Sequence, residues 1–141
     1  MDNKIIVSAI YRGKRTDNGE WVKGYFRQNI YGYHTPFIES KLNGQHYSID
    51  LSTLGKHTGY KNYFTGDIIK SESDGAIGII CFGEYASLGN PAEKECHVGY
   101  YIDWQGEDKD LLRKDFGYWM KRGDNRCIGN VHDNPELLEI E

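Results

Sequence analysis

The chain has 141 residues, of which 38% are hydrophobic and 13% aromatic, and it carries 17 Lys and Arg against 21 Asp and Glu. This length and composition fit one compact domain or two small subdomains and exclude a disordered or fibrous chain. The net charge of −4 disfavours a protein that coats nucleic acid along the phosphate backbone, because such proteins need a strongly basic face.

Targeting signals and cysteines restrict the cellular setting that we expect. No apolar run approaches the roughly 20 residues that span a bilayer, and the first residues lack the long apolar stretch and the cleavage site of a secretory signal. Cys81, Cys96 and Cys127 are odd in number, and their spacing suits neither a disulfide scaffold nor a paired zinc motif. We therefore expect a cytoplasmic protein with no membrane association, no disulfide and reduced thiols.

β signals dominate the local pattern, with eleven Tyr, seventeen Gly and only three Pro. Short alternating or apolar runs predict strands, which are in chain order 5–13, 21–28, 33–40, 45–50, 66–70, 76–85, 97–104 and 126–131. Glycine with a preceding Asn or Asp predicts hairpin turns, because these residues tolerate positive φ. The three predicted turns contain Asn18-Gly19, 42–44 and 72–75.

Three segments of the C-terminal half have sequence patterns that predict a loop or a helix and not a strand. Residues 84–95 contain Gly89-Asn90-Pro91 and predict a surface loop. The apolar spacing of Leu111, Leu112, Phe116, Trp119 and Met120 predicts a helix within 107–121, which Gly117 would weaken or end. Residues 133–141 predict a short helical turn, because Pro135 suits a first helical position.

These elements predict a mainly β fold with two small units. Residues 1–53 form an N-terminal β-rich unit. Residues 54–141 form a second unit, in which the strand, turn and strand of 66–85 are typical of a small barrel and a short helix follows.

Charge differs along the chain, since residues 1–30 carry +3 and residues 71–110 carry −7. This asymmetry either aligns copies head to tail or reflects two solvated faces.

Four stretches, distributed over nearly the whole length of the chain, resemble the motifs of one known family and occur in the family's order. They are YRGKRTDNGEWVKGY (11–25), IDLSTLGKHTGY (49–60), FTGDIIK (64–70) and IGNVHDNPELLE (128–139). The chain resembles the YopX family of phage and prophage proteins, although YKNYFT (60–65) is shorter than the turn that the family often carries there. The resemblance implies a mainly β architecture that includes an SH3-like barrel, and it implies no biochemical activity. Trp21 in the first motif suits a core anchor.

Motifs that carry catalysis or metal binding are missing from the sequence. His34, His46, His57, His97 and His132 are scattered without metal-ligand spacing, and neither GxSxG nor GxxxxGK[ST] occurs. The acidic run Asp103–Asp110 lacks the glycine of a calcium-binding loop. We therefore predict a protein that is not an enzyme, with no catalytic residue, no metal and no cofactor. An enzyme whose site is assembled between subunits has no motif support.

Two classes of function remain. The first is a non-catalytic homo-oligomeric module that binds an unidentified phage or host protein, because the tyrosine excess suits an interface. The alternative is a nucleic-acid-binding module on the basic N-terminal strand pair, although the net acidity disfavours nucleic acid as the partner. In that alternative Tyr11 and Phe26 would also stack bases, and strand alternation places Lys23, Tyr25 and Arg27 on one side. Its binding residues would be Arg12, Lys14, Arg15, Lys23, Tyr25 and Arg27.

Overall fold

Strands fill most of the described chain. The structure, a computed structural model, describes residues 9–28, 35–90, 93–105 and 115–138. In chain order the elements are β1 (Tyr11–Arg15), β2 (Trp21–Arg27), β3 (Phe37–Ser40), β4 (His46–Lys56), β5 (Asp67–Ser71), β6 (Ile77–Asn90), β7 (Glu93–Trp104), α1 (Phe116–Arg122), β8 (Asn125–Asn130) and a 3-10 helix (Pro135–Leu138). The predicted mainly β class, with a closed barrel and a short helix in the C-terminal part, is confirmed. Residues 5–8 of the predicted first strand lie outside the described residues.

The chain divides into two units, Met1–Phe64 and Thr65–Glu141, which we call the barrel unit and the sheet unit. In the barrel unit, β1 to β4 form a closed barrel in which each strand pairs antiparallel with its neighbours. In the sheet unit, the strand order is β7-β6-β5-β8. The sequence placed the boundary after residue 53 and the barrel within 54–141, whereas the structure places the closed barrel before Phe64.

β4 closes the barrel because its two halves pair with different strands. Residues 46–48 pair with β3, and residues within 49–56 pair with β1. Within the pairing with β1, the register shifts between Arg12 and Lys14, and there the Thr53 hydroxyl accepts a hydrogen bond from the Lys14 amide at 2.8 Å. The same hydroxyl donates to the Asp50 carbonyl at 2.6 Å. Side-chain partners of this kind satisfy the backbone groups that a bulge leaves out of the ladder.

Two glycines of the barrel lie where neighbouring atoms leave no room for a Cβ. A Cβ on Gly24 would run into the carbonyl oxygen of Glu39, and a Cβ on Gly13 would lie 2.9 Å from Cδ1 of Ile49. Ile49 and Ile38 are buried to 3% and 0% exposure and fill the space that remains. The barrel therefore depends on small residues facing branched ones, because close packing leaves no room for a methyl group at these points.

Three hairpin loops share one construction. They contain Asn18-Gly19, Asn43-Gly44 and Asp74-Gly75, the three predicted turns. In each loop the glycine has φ between 71° and 75°, and its amide donates at 2.9 Å to the carbonyl four residues earlier. The Asn or Asp Oδ1 accepts from the amide two residues later at 2.9 to 3.0 Å. Only the glycine takes positive φ, so these loops need Gly for its conformation and Asn or Asp for its side-chain acceptor.

The sheet unit buries aliphatic and aromatic side chains on both faces of its sheet. Adjacent residues of a strand point to opposite faces, and Ile68 and Ile69 of β5 are both fully buried. Trp104 of β7 and Trp119 of α1 pack edge to face with their ring centres 5.1 Å apart. The helix thus contributes an aromatic side chain to the core of the sheet unit.

The hairpin of β6 and β7 is longer than the sequence predicted. The prediction of a surface loop over 84–95 is wrong, because β6 continues to Asn90 and β7 begins at Glu93. Tyr85 is buried there, with its ring centre 5.3 Å from His97 and 4.9 Å from Tyr101. Cross-strand aromatic packing of this kind favours continued pairing.

The predicted helix begins and ends at capped residues. α1 spans Phe116–Arg122, and the part of the prediction over 107–114 lies outside the described residues. The Asp115 carboxylate accepts a hydrogen bond from the Tyr118 amide at the N-terminus, and Gly123 ends the helix with φ of 76°. Gly117 lies within the helix rather than ending it.

Candidate functional site

Cations and aromatic rings alternate on the outer side of the β1 and β2 pair. Arg12 lies opposite Lys23 in the register, and Lys14 lies opposite Trp21. Because side chains two residues apart share one side of a strand, all four project to the same side. We call this set, together with Phe64, the cation–aromatic face.

The rings of this face lie directly beneath the cations. The Arg12 guanidinium is 4.8 Å from the ring centre of Trp21 and 4.9 Å from that of Phe64. The Lys14 ammonium lies 5.4 Å from Trp21, and the Lys23 ammonium lies 5.3 Å from Phe64. These distances allow cation–π attraction, which holds the charges in place at the surface. Trp21 is half-buried beneath cations and not the core anchor that its type predicted.

Three of the six residues predicted to bind nucleic acid lie close together in the structure. Arg12, Lys14 and Lys23 share the cation–aromatic face, and Tyr25 follows on the same side of β2. Arg27 stacks 5.8 Å from the Tyr25 ring and lies 3.8 Å from a carboxylate oxygen of Glu39, which offsets its charge.

Arg15, Tyr11 and Phe26 do not join this face. Arg15 binds both carboxylate oxygens of Asp17, at 2.9 and 2.6 Å. This hydrogen bonding lowers the pKa of Asp17 and raises the pKa of Arg15, so the pair stays ionised. Tyr11 and Phe26 pack against each other with ring centres 5.6 Å apart. They follow the opposite alternation from Arg12 and Tyr25, so they lie on the other side of the strand pair.

An open pocket of about 500 Å³, which we call the barrel pocket, adjoins the cation–aromatic face. Its apolar lining comes from β2, the start of the barrel and the loop after β3, and consists of Ile10, Trp21, Val22 and Leu42. Its cations are Arg15, Lys23 and Lys41, and its described lining contains no carboxylate. Leu42 is 98% exposed at the tip of its hairpin. An apolar floor with basic groups around it suits an acidic ligand with an apolar side chain.

Loop contacts shape this pocket. The Arg15 guanidinium packs 4.3 Å from the ring centre of Tyr47. The Tyr47 hydroxyl donates to Gln45 at 2.9 Å and accepts from the Asn43 amide group at 3.2 Å. The second hairpin loop therefore holds one wall of the pocket in place.

Charge separates the two units more sharply than the sequence blocks indicated. The barrel unit contains nine Lys and Arg and five Asp and Glu, a net charge of +4, whereas the sheet unit contains eight and sixteen, a net charge of −8. The pocket thus belongs to the basic unit of an acidic chain. Such a field attracts acidic partners over several ångströms and weakens with salt.

Histidines and thiols of the described residues have structural surroundings. His46 stacks on Phe37 at 4.6 Å, and a ring nitrogen of His57 lies 2.7 Å from the Lys61 carbonyl. Cys81 and Cys127 are free thiols, and the described residues contain no group of three or more metal-binding side chains.

Burial raises the pKa of Tyr85, with a further contribution from Asp115, and keeps this phenol neutral within the hairpin of β6 and β7.

Sequence reasoning missed two parts of this site. Phe64 reaches the cation–aromatic face because a β-bridge joins it to His57, far along the chain from β1. Leu42 and Tyr47 come to the pocket through the loop and strand that follow β3. The sequence Leu42-Asn43-Gly44 predicted the turn itself. Strand alternation describes one hairpin at a time, so it could not show that this turn lies beside β2.

No protein-family model, curated protein or solved structure matches this chain. The resemblance to the YopX family therefore stays a prediction. Over the described residues, the structure contains no helix that is both long and apolar enough to cross a membrane.

Proposed function

We propose that this chain is a non-catalytic, homo-oligomeric module that binds protein through the barrel pocket. The observation that carries the proposal is the lining of that pocket, which combines apolar side chains with three cations and, among its described residues, no carboxylate. Asp17 balances Arg15, so Lys23 and Lys41 provide the pocket with its net positive charge. A segment with carboxylates beside an apolar side chain is its complement.

The first such partner is a second copy of the chain. The sheet unit carries −8, so the basic barrel unit of one copy attracts the sheet unit of another. An acidic segment of a phage or host protein has the same chemistry. Attraction of this kind raises the association rate and selects the partner, while apolar contact in the pocket slows dissociation.

Charge reversal at two lysines tests the proposal. Lys41 lines the barrel pocket but lies outside the cation–aromatic face, whereas Lys14 belongs to that face but does not line the pocket. We expect Lys41→Glu to weaken self-association about tenfold at low salt, because it places a carboxylate where the partner's carboxylates bind. Lys14→Glu and the exposed control Lys121→Glu are expected to change it little. Equal effects of Lys41→Glu and Lys14→Glu would contradict the assignment of the pocket.

Nucleic-acid binding is the second candidate, because Arg12, Lys14 and Lys23 lie together on one face beside Tyr25. Three phosphate contacts predict a slope of about −2 for the logarithm of single-strand affinity against the logarithm of salt concentration. In this case Lys14→Glu reduces retention on single-stranded DNA and Lys41→Glu does not. The same pair of variants thus separates the two candidates.

The four motifs that resemble the YopX family support a broader proposal. It is that the protein is a phage or prophage accessory protein that acts in the cytoplasm of a bacterial host. A photo-crosslinking residue at Lys41, with one at Lys121 as the control, would identify its contacts in bacterial cells. We expect crosslinks that are specific to position 41, to a second copy or to one acidic protein. Equal crosslinking from both positions would argue against a defined partner.

A further inference from the structure

A small polar pocket in the sheet unit carries chemistry that the proposed function does not use. Its volume is about 60 Å³, and it lies where the loop after β5, the end of β7, α1 and the start of β8 meet. We call it the indole pocket, because the side chains of Trp104 and Trp119 line it together with that of Asp124.

Three buried polar atoms of this pocket make no hydrogen bond within the described part of the chain. They are Nε1 of Trp104, Nε1 of Trp119 and Oδ1 of Asp124. Trp104 is 1% exposed and Trp119 is 7% exposed, so bulk water does not reach the indoles freely. Buried polar groups in folded proteins nearly always have a partner. Three such groups on residues that line one small pocket therefore need a hydrogen-bonding partner from outside the described residues.

The rest of the pocket is already engaged within the protein. The hydroxyl oxygens of Ser71 and Ser73 lie 3.0 Å apart. The Asp74 carboxylate accepts a hydrogen bond from the Ala76 amide at 3.0 Å. The Asn125 side chain donates to the Trp119 carbonyl at 2.8 Å, which fixes the end of α1 beside the pocket. Recognition of a ligand thus depends on the two indoles and Asp124, which are held in place before it binds.

The donors and acceptors define the class of ligand. An indole N–H can only donate and a carboxylate can only accept, so the ligand must both accept and donate. The Arg122 guanidinium lies 3.7 Å from the other oxygen of Asp124. Arg122 also lines the pocket, but it lies beside Asp124, so an anion would still meet two carboxylates, Asp74 and Asp124, against one cation of the described lining. A cation such as an ammonium has no acceptor for the indoles. A neutral amide has both functions and no charge.

We propose that the indole pocket binds a neutral primary carboxamide. Its carbonyl oxygen accepts from the indole N–H groups of Trp104 and Trp119, and its NH₂ donates to Oδ1 of Asp124. The volume admits a group of only a few heavy atoms, which excludes larger ring systems from the pocket itself. The carboxamide can belong to a free small molecule or to a Gln or Asn side chain, which share this chemistry.

The indole signals of ¹⁵N-labelled protein test the proposal directly. The chain contains three tryptophans, and Trp21 in the barrel unit serves as an internal reference. We expect acetamide at millimolar concentrations to shift the Trp104 and Trp119 Nε1–H signals saturably and to leave Trp21 unchanged. Acetone, which accepts but cannot donate to Asp124, is expected to need about tenfold higher concentrations for the same shifts, and acetate, which is charged, is expected to shift neither signal. Silent signals with acetamide, or equal shifts with acetone, would overturn the proposal. Indole contact with long-lived water that acetamide does not displace would also overturn it.

A variant and two peptides sharpen the test. Asp124→Ala is expected to weaken acetamide binding about tenfold, because it removes the charged acceptor. Glu136→Ala, which changes an exposed carboxylate of the sheet unit outside the pocket, is expected to leave it unchanged. Blocked peptides that differ only in Gln or Glu distinguish the sources. Stronger shifts with the Gln peptide assign the site to a protein side chain, and shifts with acetamide alone assign it to a free amide. This pocket and the barrel pocket lie in different units, so each proposal can fail without the other.

Discussion

The barrel unit and the sheet unit use their tryptophans in different ways. In the barrel unit, Trp21 is half-buried and lies beneath Arg12 and Lys14 of the cation–aromatic face. In the sheet unit, Trp104 and Trp119 pack on each other inside the core. Trp119 also has a cation beside it, since the Arg122 guanidinium lies 5.8 Å from its ring centre, so the burial of the ring separates the two cases. Aromatic content alone therefore does not distinguish a core from a binding surface.

Truncation of one tryptophan in each unit should give the largest contrast. Trp104→Ala is expected to lower the free energy of unfolding by about 3–5 kcal/mol, because it empties a fully buried site. Trp21→Ala removes a half-buried ring and its cation–π contacts, which predicts a loss of about 1–2 kcal/mol. Urea denaturation of both variants provides the measurement. Equal losses would mean that Trp21 is a core residue after all.

A methyl group at Gly24 of the barrel should have the next largest effect. Gly24→Ala is expected to cost about 1–3 kcal/mol, because its Cβ would run into the Glu39 carbonyl on the neighbouring strand. Gly99 of β7 is the matched strand glycine in the sheet unit, where a Cβ meets nothing within 4 Å. Gly99→Ala is therefore expected to be neutral or slightly stabilising. Full stability of Gly24→Ala would contradict the packing that we describe.

The third hairpin loop offers a smaller, pH-dependent test. The Ala76 amide and the Ser71 hydroxyl hold the pKa of Asp74 below its ordinary value of 3.8. Because the folded pKa is lower than the unfolded one, the charge stabilises the fold above about pH 4, and this contribution is lost as pH falls through the folded pKa.

Asp74→Asn gives this loop the residue that the other two loops carry at the same place. We expect it to be less stable than the natural chain by about 0.5 kcal/mol at neutral pH, because the charge is solvent-screened. The difference in the free energy of unfolding should vanish in acid. Denaturation of both proteins, measured between about pH 7 and pH 2, tests this expectation. A difference that is independent of pH would show that the charge of Asp74 contributes nothing.

The sequence predicted what is decided locally. The three loops with Gly after Asn or Asp were placed correctly, because φ of the glycine and the side-chain acceptor act within five residues. Alternation along β2 likewise placed Lys23 and Tyr25 together, and the Asn18-Gly19 turn brought them beside β1. Both inferences need only the geometry of one hairpin.

What the sequence missed depends on contacts between distant segments. Residues 84–95 are rich in polar and small residues, and only pairing across the hairpin, with Tyr85 packed on His97, extends the strands through them. The barrel was placed too late in the chain because β4 returns to β1 through a bulge at Thr53. Phe64 of the candidate site contacts Arg12 and Lys23, which lie about forty or more residues earlier in the chain.

Light scattering at low and high salt tests the central claim most directly, which is that the basic barrel unit drives association with acidic partners, beginning with a second copy. At micromolar concentration and low salt, we expect the mass of a dimer or a larger assembly. Near 1 M salt the screening length falls to about 3 Å, and the mass should move towards that of the monomer. A monomer at low salt would contradict self-association, and an assembly that salt does not change would contradict its electrostatic origin.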